Sequence, residues 1–158
     1  MKAEAQKEHH WLAQLDGEWT YEGECDMGPD QPSMKMQGRE TVRSIGELWR
    51  IAEGRSGMPD GGEAHTVMTL GYDAAKGRYV GSYVASMMTM MWLYEGSLDA
   101  SGRVLTLDCE GPDFSGDGSI AKYQDIIEIV DADTRLFRSQ TFRDGAWREF
   151  LRSRYRRA

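Results

Sequence analysis

From Gly17 onward the chain alternates. Trp19, Tyr21, Gly23, Cys25 and Met27 stand between Glu18, Thr20, Glu22, Glu24 and Asp26. A period of two puts the first set on one face of an extended strand and the second on the other, so one face is buried and one is wet. Similar runs recur near 34–44, 47–55, 63–73, 78–88, 90–98, 103–110, 119–130, 135–143 and 146–156. Turn formers separate them: Asp60-Gly61-Gly62, Asp73 to Gly77, Asp99 to Gly102, Asp131 to Asp133 and Asp144-Gly145. Glycine reaches positive φ freely, and aspartate bonds its own turn backbone. Asp144-Gly145 between two alternating runs reads as a hairpin. Only the segment before Gly17 has a different period. Within Glu4 to Leu15, Trp11 and Leu15 are four apart with Leu12 beside them, which makes one helical face that Asp16-Gly17 ends.

About ten short strands, with few candidate helices after the first, predict an all-β fold. Successive hairpins favour up-and-down order, and closing the sheet removes its exposed edges. The expectation is an antiparallel barrel with a short N-terminal helix, residues 1–158 forming a single domain. A chain of 158 residues can build one core without staples. Gly23, Gly38, Gly71, Gly81 and Gly96 fall inside strands, where a glycine marks a hard bend or a close backbone. The loops Gly28 to Ser33 and Arg55 to Gly62 carry few anchors.

Charge removes some functions. The net charge of −7 repels phosphate backbones, so no nucleic-acid partner is expected. Arg148, Arg152, Arg154, Arg156 and Arg157 crowd the end of the chain, and their spacing reads as the solvated face of a terminal strand. Met1 to His10 has no apolar stretch, and no run approaches the ~20 residues that span a bilayer. No membrane partner is expected, and the localisation read from this is cytoplasmic, with Cys25 and Cys109 reduced. Two cysteines and three histidines do not build a standard zinc site.

Four short motifs carry a resemblance. They are Leu15-Asp16-Gly17-Glu18-Trp19, Leu70-Gly71-Tyr72-Asp73, Glu95-Gly96-Ser97-Leu98-Asp99 and Tyr155-Arg156-Arg157. Together the chain resembles, over nearly its whole length, the bacterial domain-of-unknown-function family 1579 (DUF1579). The resemblance implies a calycin-like, lipocalin-like barrel and no activity. Gly17-Glu18-Trp19 is also similar to the Gly-X-Trp start of lipocalins, which implies a tryptophan packed across the closed end. Nitrobindins share such a start and hold haem through a late histidine. The histidines here are His9, His10 and His65, so no haem and no other cofactor is expected.

Three groups of residues could carry chemistry. Tyr79, Tyr83, Met87, Met88, Met90, Met91, Trp92 and Tyr94 form an aromatic and methionine wall, adaptable and apolar with polar tips. The same residues serve a core or an oligomer interface. Arg50, Glu95 and Asp125 are charges set among apolar neighbours, and a buried charge is usually paired or functional. Which face each occupies stays open, because one bulge inverts the parity. Asp113 to Ile120 matches the start of a calcium loop, yet its twelfth position is Gln124 and its flanks are strands, so a polar hairpin loop is expected and no metal. Ser119 and Lys122 point to opposite sides of a strand, and His65 reads as structural.

The reading that unites these is a non-catalytic binder of a small hydrophobic molecule. Its expected ligand-binding residues are Trp19, Arg50, Tyr83, Met87, Trp92, Glu95 and Asp125. Two alternatives remain: a small isomerase or hydrolase using Glu110 and Asp125, and a homodimer or higher homo-oligomer joined through Met88 and Met91.

Overall fold

The computed structural model describes residues 1–158. One helix, α1 (Lys7–Ala13), precedes β1 (Gly17–Cys25), β2 (Met34–Ile45), β3 (Trp49–Gly57), β4 (Glu63–Asp73), β5 (Arg78–Ala85), β6 (Trp92–Leu98), β7 (Val104–Pro112), β8 (Ile120–Asp131), β9 (Thr134–Arg143) and β10 (Ala146–Arg157). Each strand pairs antiparallel with the next, and β1 pairs with β10, so the sheet closes into a barrel without an edge. The helix is too short to cross a membrane.

Up-and-down order sorts the connections. The segment before β1, the end of β10 and the turns after β2, β4, β6 and β8 share one end of the barrel. The loops after β1, β3, β5, β7 and β9 share the other. The first end is closed. Alone, seven residues of helix do not persist. Here α1 docks: Trp11 donates its indole N–H to the Gly102 carbonyl at 2.7 Å, and Tyr79 donates to the Glu8 carbonyl at 3.4 Å. His9 Nδ1 accepts the Gln6 backbone N–H at 2.9 Å, which leaves Nε2 to donate to the Tyr72 carbonyl at 3.1 Å. Leu12, Leu15, Leu70, Leu105 and Leu107 fill the space beneath.

Trp19 is the plug of this end. It is 2% exposed and donates its indole N–H to the Leu15 carbonyl at 2.8 Å. The Arg135 and Arg157 guanidiniums lie 4.7 and 4.3 Å from its ring. Arg157 also donates to the carbonyls of Gln14, Asp16 and Ala132 at 2.6–2.8 Å, tying the end of β10 to the segment between α1 and β1. The solvated-arginine reading holds for Arg152, Arg154 and Arg156 but not for Arg157, whose head is spent on closing the barrel.

Two predicted boundaries shift. The runs 78–88 and 90–98 stop and start short of the methionines, and 86–91 is a loop at the open end. The Ser86 N–H bonds the His65 carbonyl at 2.8 Å and the Met88 N–H bonds the Ala85 carbonyl at 3.0 Å, which turns the chain there. The glycine expectation holds in its tightest form at Gly81 and Gly96. A Cβ on either would lie 2.1 Å from the carbonyl oxygen of Thr69 or Thr106. A bulge at Phe150 switches the inward parity of β10, so Leu151, Ser153 and Tyr155 face inward after it.

Candidate ligand-binding cavity

The closed end packs solid, but the rest of the barrel does not. The open space there, counting the mouth and the outer groove along β1, β2 and β10, totals about 2150 Å³. A drug-sized ligand needs roughly 300–1,000 Å³. Tyr83, Trp92, Tyr123, Phe137 and Phe150 supply aromatic wall, Met68 and Ile127 lie deeper, and Met34, Met36, Met87 and Met88 stand toward the mouth. Small inward residues help make the room: Ala52 and Ala64 stand where larger side chains would fill the lumen, while Tyr21 packs over Gly38 and Thr66 over Gly54.

Two polar clusters interrupt the apolar lining. In the first, Arg135 from β9 pairs with Glu40 from β2, their side chains 4% and 15% exposed. The guanidinium also lies 4.1 Å from the Tyr155 ring, and Tyr155 stacks on Tyr21 at 4.7 Å. In the second, Asp125 from β8 accepts hydrogen bonds from the Tyr94 hydroxyl on β6 and from Ser139 Oγ on β9, the latter at 2.6 Å. Burial pushes the Asp125 carboxyl above its ordinary range, and the two hydroxyl donors pull it back only in part. Burial likewise raises the Tyr83 phenol to about 12, with Asp125 adding to the effect.

The expected site residues divide. Tyr83, Met87, Trp92, Asp125 and Arg50 line the cavity. Arg50, 6% exposed, turns its head to the closed end, where Nε donates to Asp16 at 2.9 Å and Nη1 to the Glu47 carbonyl at 3.1 Å. Trp19 lies under the cavity floor rather than in its wall. Glu95 lies outside the barrel, because its neighbour Tyr94 takes the inward place, and it meets Lys76 at 2.7 Å. Glu110 is also on the outer face, so it and Asp125 do not form an acid–base pair. Asp113 is held by Arg143 at 2.7 Å in the β7–β8 loop, and no cluster of three or more His, Cys, Asp or Glu is placed to hold a metal. His65 stands on the outer face of β4, 3.8 Å from Glu53.

Sequence reasoning missed Glu40, Arg135, Ser139 and Tyr155. Glu40 sits among polar residues in Gln37 to Thr41, so nothing in its run marks it as inward. Arg135 lies in a mixed run as well, and its inward place beside Phe137, Ser139 and Thr141 follows from the pairing of β9 with β10, where it stands opposite Tyr155.

The family model described as "Protein of unknown function (DUF1579)" matches residues 4–157. The chain belongs to the DUF1579 family. No curated protein matches the sequence. Among solved structures, this DUF1579 chain is similar to Rv2717c from M. tuberculosis, with TM-score 0.66 and 15% identity over 98% of this chain and 99% of that one. It is also similar to EF1p2_mFAP2b bound to DFHBI, with TM-score 0.51 and 11% identity over 96% and 99%. A redesigned beta barrel, b11L5F_LGL, gives TM-score 0.50 and 12% identity over 93% and 94%. At these identities the likeness shows the barrel fold and leaves function to the site.

Burial lifts the folded Asp125 pKa above its unfolded value of about 3.9. Between those two values the folded state binds more protons than the unfolded one, and stability falls as pH rises. Asp125→Asn should therefore gain on the wild type in denaturant midpoint from about pH 4 upward. A gap that does not change with pH would contradict this. Cys109 lines the cavity, and burial, aided by Asp125 and Asp108, pushes its thiol to about 12. The thiolate is the reactive form, so a charged disulfide reagent should label half-exposed Cys25 in native protein well before Cys109, which should react fully only after unfolding. Rapid labelling of both would count against the buried placement.

Proposed function

We propose that this DUF1579 barrel binds a small, largely apolar molecule in its interior. The preformed cavity carries the reading: it is open at one end, walled by aromatic and methionine side chains, and provided with a few convergent polar groups at depth. Methionine adapts to irregular apolar shapes, and the phenols of Tyr83 and Tyr94 offer polar tips on rigid rings. A similarly folded barrel, EF1p2_mFAP2b, is bound to DFHBI in its structure, and a cavity of this kind supports the same use here.

Entry is through the mouth. The opposite end is sealed by α1, Trp19 and the Arg157 hydrogen bonds, whereas the 86–91 loop places Met87, 50% exposed, beside the opening. Native mass spectrometry of protein purified from its own host, followed by denaturing extraction, tests the reading. The expected result is one apolar small molecule per chain, released on unfolding. Protein that is empty and also takes up no apolar dye would refute it.

A further inference from the structure

Four ionisable side chains start from the inner face of the barrel: Arg50, Arg135, Glu40 and Asp125. Both guanidiniums are already matched, Arg50 by Asp16 and Arg135 by Glu40. Each guanidinium already has a carboxylate for its charge, so a fatty-acid head would find no uncompensated cation in the cavity. Asp125 is the odd one. Its two oxygens receive only neutral donors, Ser139 Oγ and the Tyr94 hydroxyl, and no lysine, arginine or histidine pairs with it. A carboxylate has about four acceptor sites. Two are used, and the group faces a cavity large enough to bring a further donor to the others.

An ammonium meets that need better than a hydroxyl. It supplies N–H donors and also the counter-charge that the protein withholds, and a charge-assisted hydrogen bond is about twice as strong as a neutral one. The cavity wall helps, since aromatic faces attract cations. Tyr83, Trp92 and Tyr123 stand in the wall between Asp125 and the mouth, with Tyr83 opposite Trp92 on adjacent strands. We propose that the ligand is an apolar amine, with its ammonium on Asp125 and its body along the aromatic and methionine wall toward the mouth. This rests on the reading of the barrel as a binder and names the head group that reading leaves open.

The pH dependence follows. The groups facing Asp125 from the packed strands are Tyr83, Tyr94, Cys109 and Ser139. The phenols and the thiol are all raised, so they stay neutral where Asp125 titrates. Amine affinity should fall as acid protonates Asp125, and alcohol affinity should not.

The experiment is titration of the full chain with decylamine, decan-1-ol and decanoic acid, by calorimetry at neutral pH, for wild type and Asp125→Asn. The amine should bind wild type about tenfold tighter than the alcohol, with the acid weakest. In Asp125→Asn the amine should fall to the level of the alcohol, whose affinity stays as it was. If amine and alcohol bind wild type equally, or the acid binds tightest, the amine assignment is overturned while the binding reading stands. An amine advantage that survives in Asp125→Asn overturns the role of Asp125. If none of the three binds, the binding reading falls and the amine assignment with it. The wild-type comparison decides even if the variant fails to fold.

Discussion

Trp19→Ala should cost the barrel about 3–5 kcal/mol of stability, the range for removing a large buried aromatic. The indole is 2% exposed, fills the closed end, and holds the Leu15 carbonyl through its N–H. Its loss also strips the stacking partner from Arg135 on one side and Arg157 on the other. For a chain of this length that corresponds to a fall of roughly 10 °C in Tm. Trp19→Phe should cost less, because a ring remains for the guanidiniums and what is lost is the N–H donor and part of the ring volume. Chemical denaturation of the two variants checks the order. Equal effects, or a cost under about 1 kcal/mol for alanine, would mean that Trp19 is not the plug. At temperatures where Trp19→Ala is folded, ligand affinity should be near that of wild type, since the side chain lies below the cavity floor.

Glu40→Ala should be destabilising by about 3 kcal/mol, the low end for breaking a buried pair, because Glu40 keeps some access to the cavity. The cost comes from what is left behind. Arg135 is 4% exposed on its side chain, and its Nε already lacks a hydrogen-bond partner, so without Glu40 its charge is held only by the Trp19 and Tyr155 rings. Replacing both partners, as Glu40→Leu with Arg135→Met, should recover most of the loss, since two apolar side chains need no counter-charge. If the double variant is no better than Glu40→Ala, the pair is not the source of the effect.

The barrel was legible because its signal is long and redundant. Ten alternating runs with turn residues between them admit few architectures, and an error of two residues at a strand end changes nothing about closure. The site was less legible, for a local reason. Tyr83, Trp92 and Asp125 stood out because apolar neighbours flanked them, but the same argument raised Glu95, which one step of parity put outside. Glu40 and Arg135 lie in mixed polar stretches, and their inward direction follows only from the register of β2 and β9 in the closed sheet. Phe150 depends on a bulge that no residue type announces. The methionine cluster was visible as composition, but its position at the mouth follows from the turn at Ser86 to Met88. Arg50 shows the opposite failure: its burial was legible, and its partner, Asp16, belongs to the segment between helix and barrel that no strand pattern predicts.

The central claim, that the interior of the barrel takes the ligand, is tested most directly by methyl-labelled methionine NMR during titration with decylamine. Met68 points into the barrel at depth, 9% exposed, Met91 lies at the rim, 61% exposed, and Met1 is fully outside. The account predicts that the Met68 methyl signal shifts saturably at one ligand per chain while Met1 does not move. Shifts confined to Met91 and other rim methionines, with Met68 unchanged at saturation, would place the molecule on the surface and contradict it.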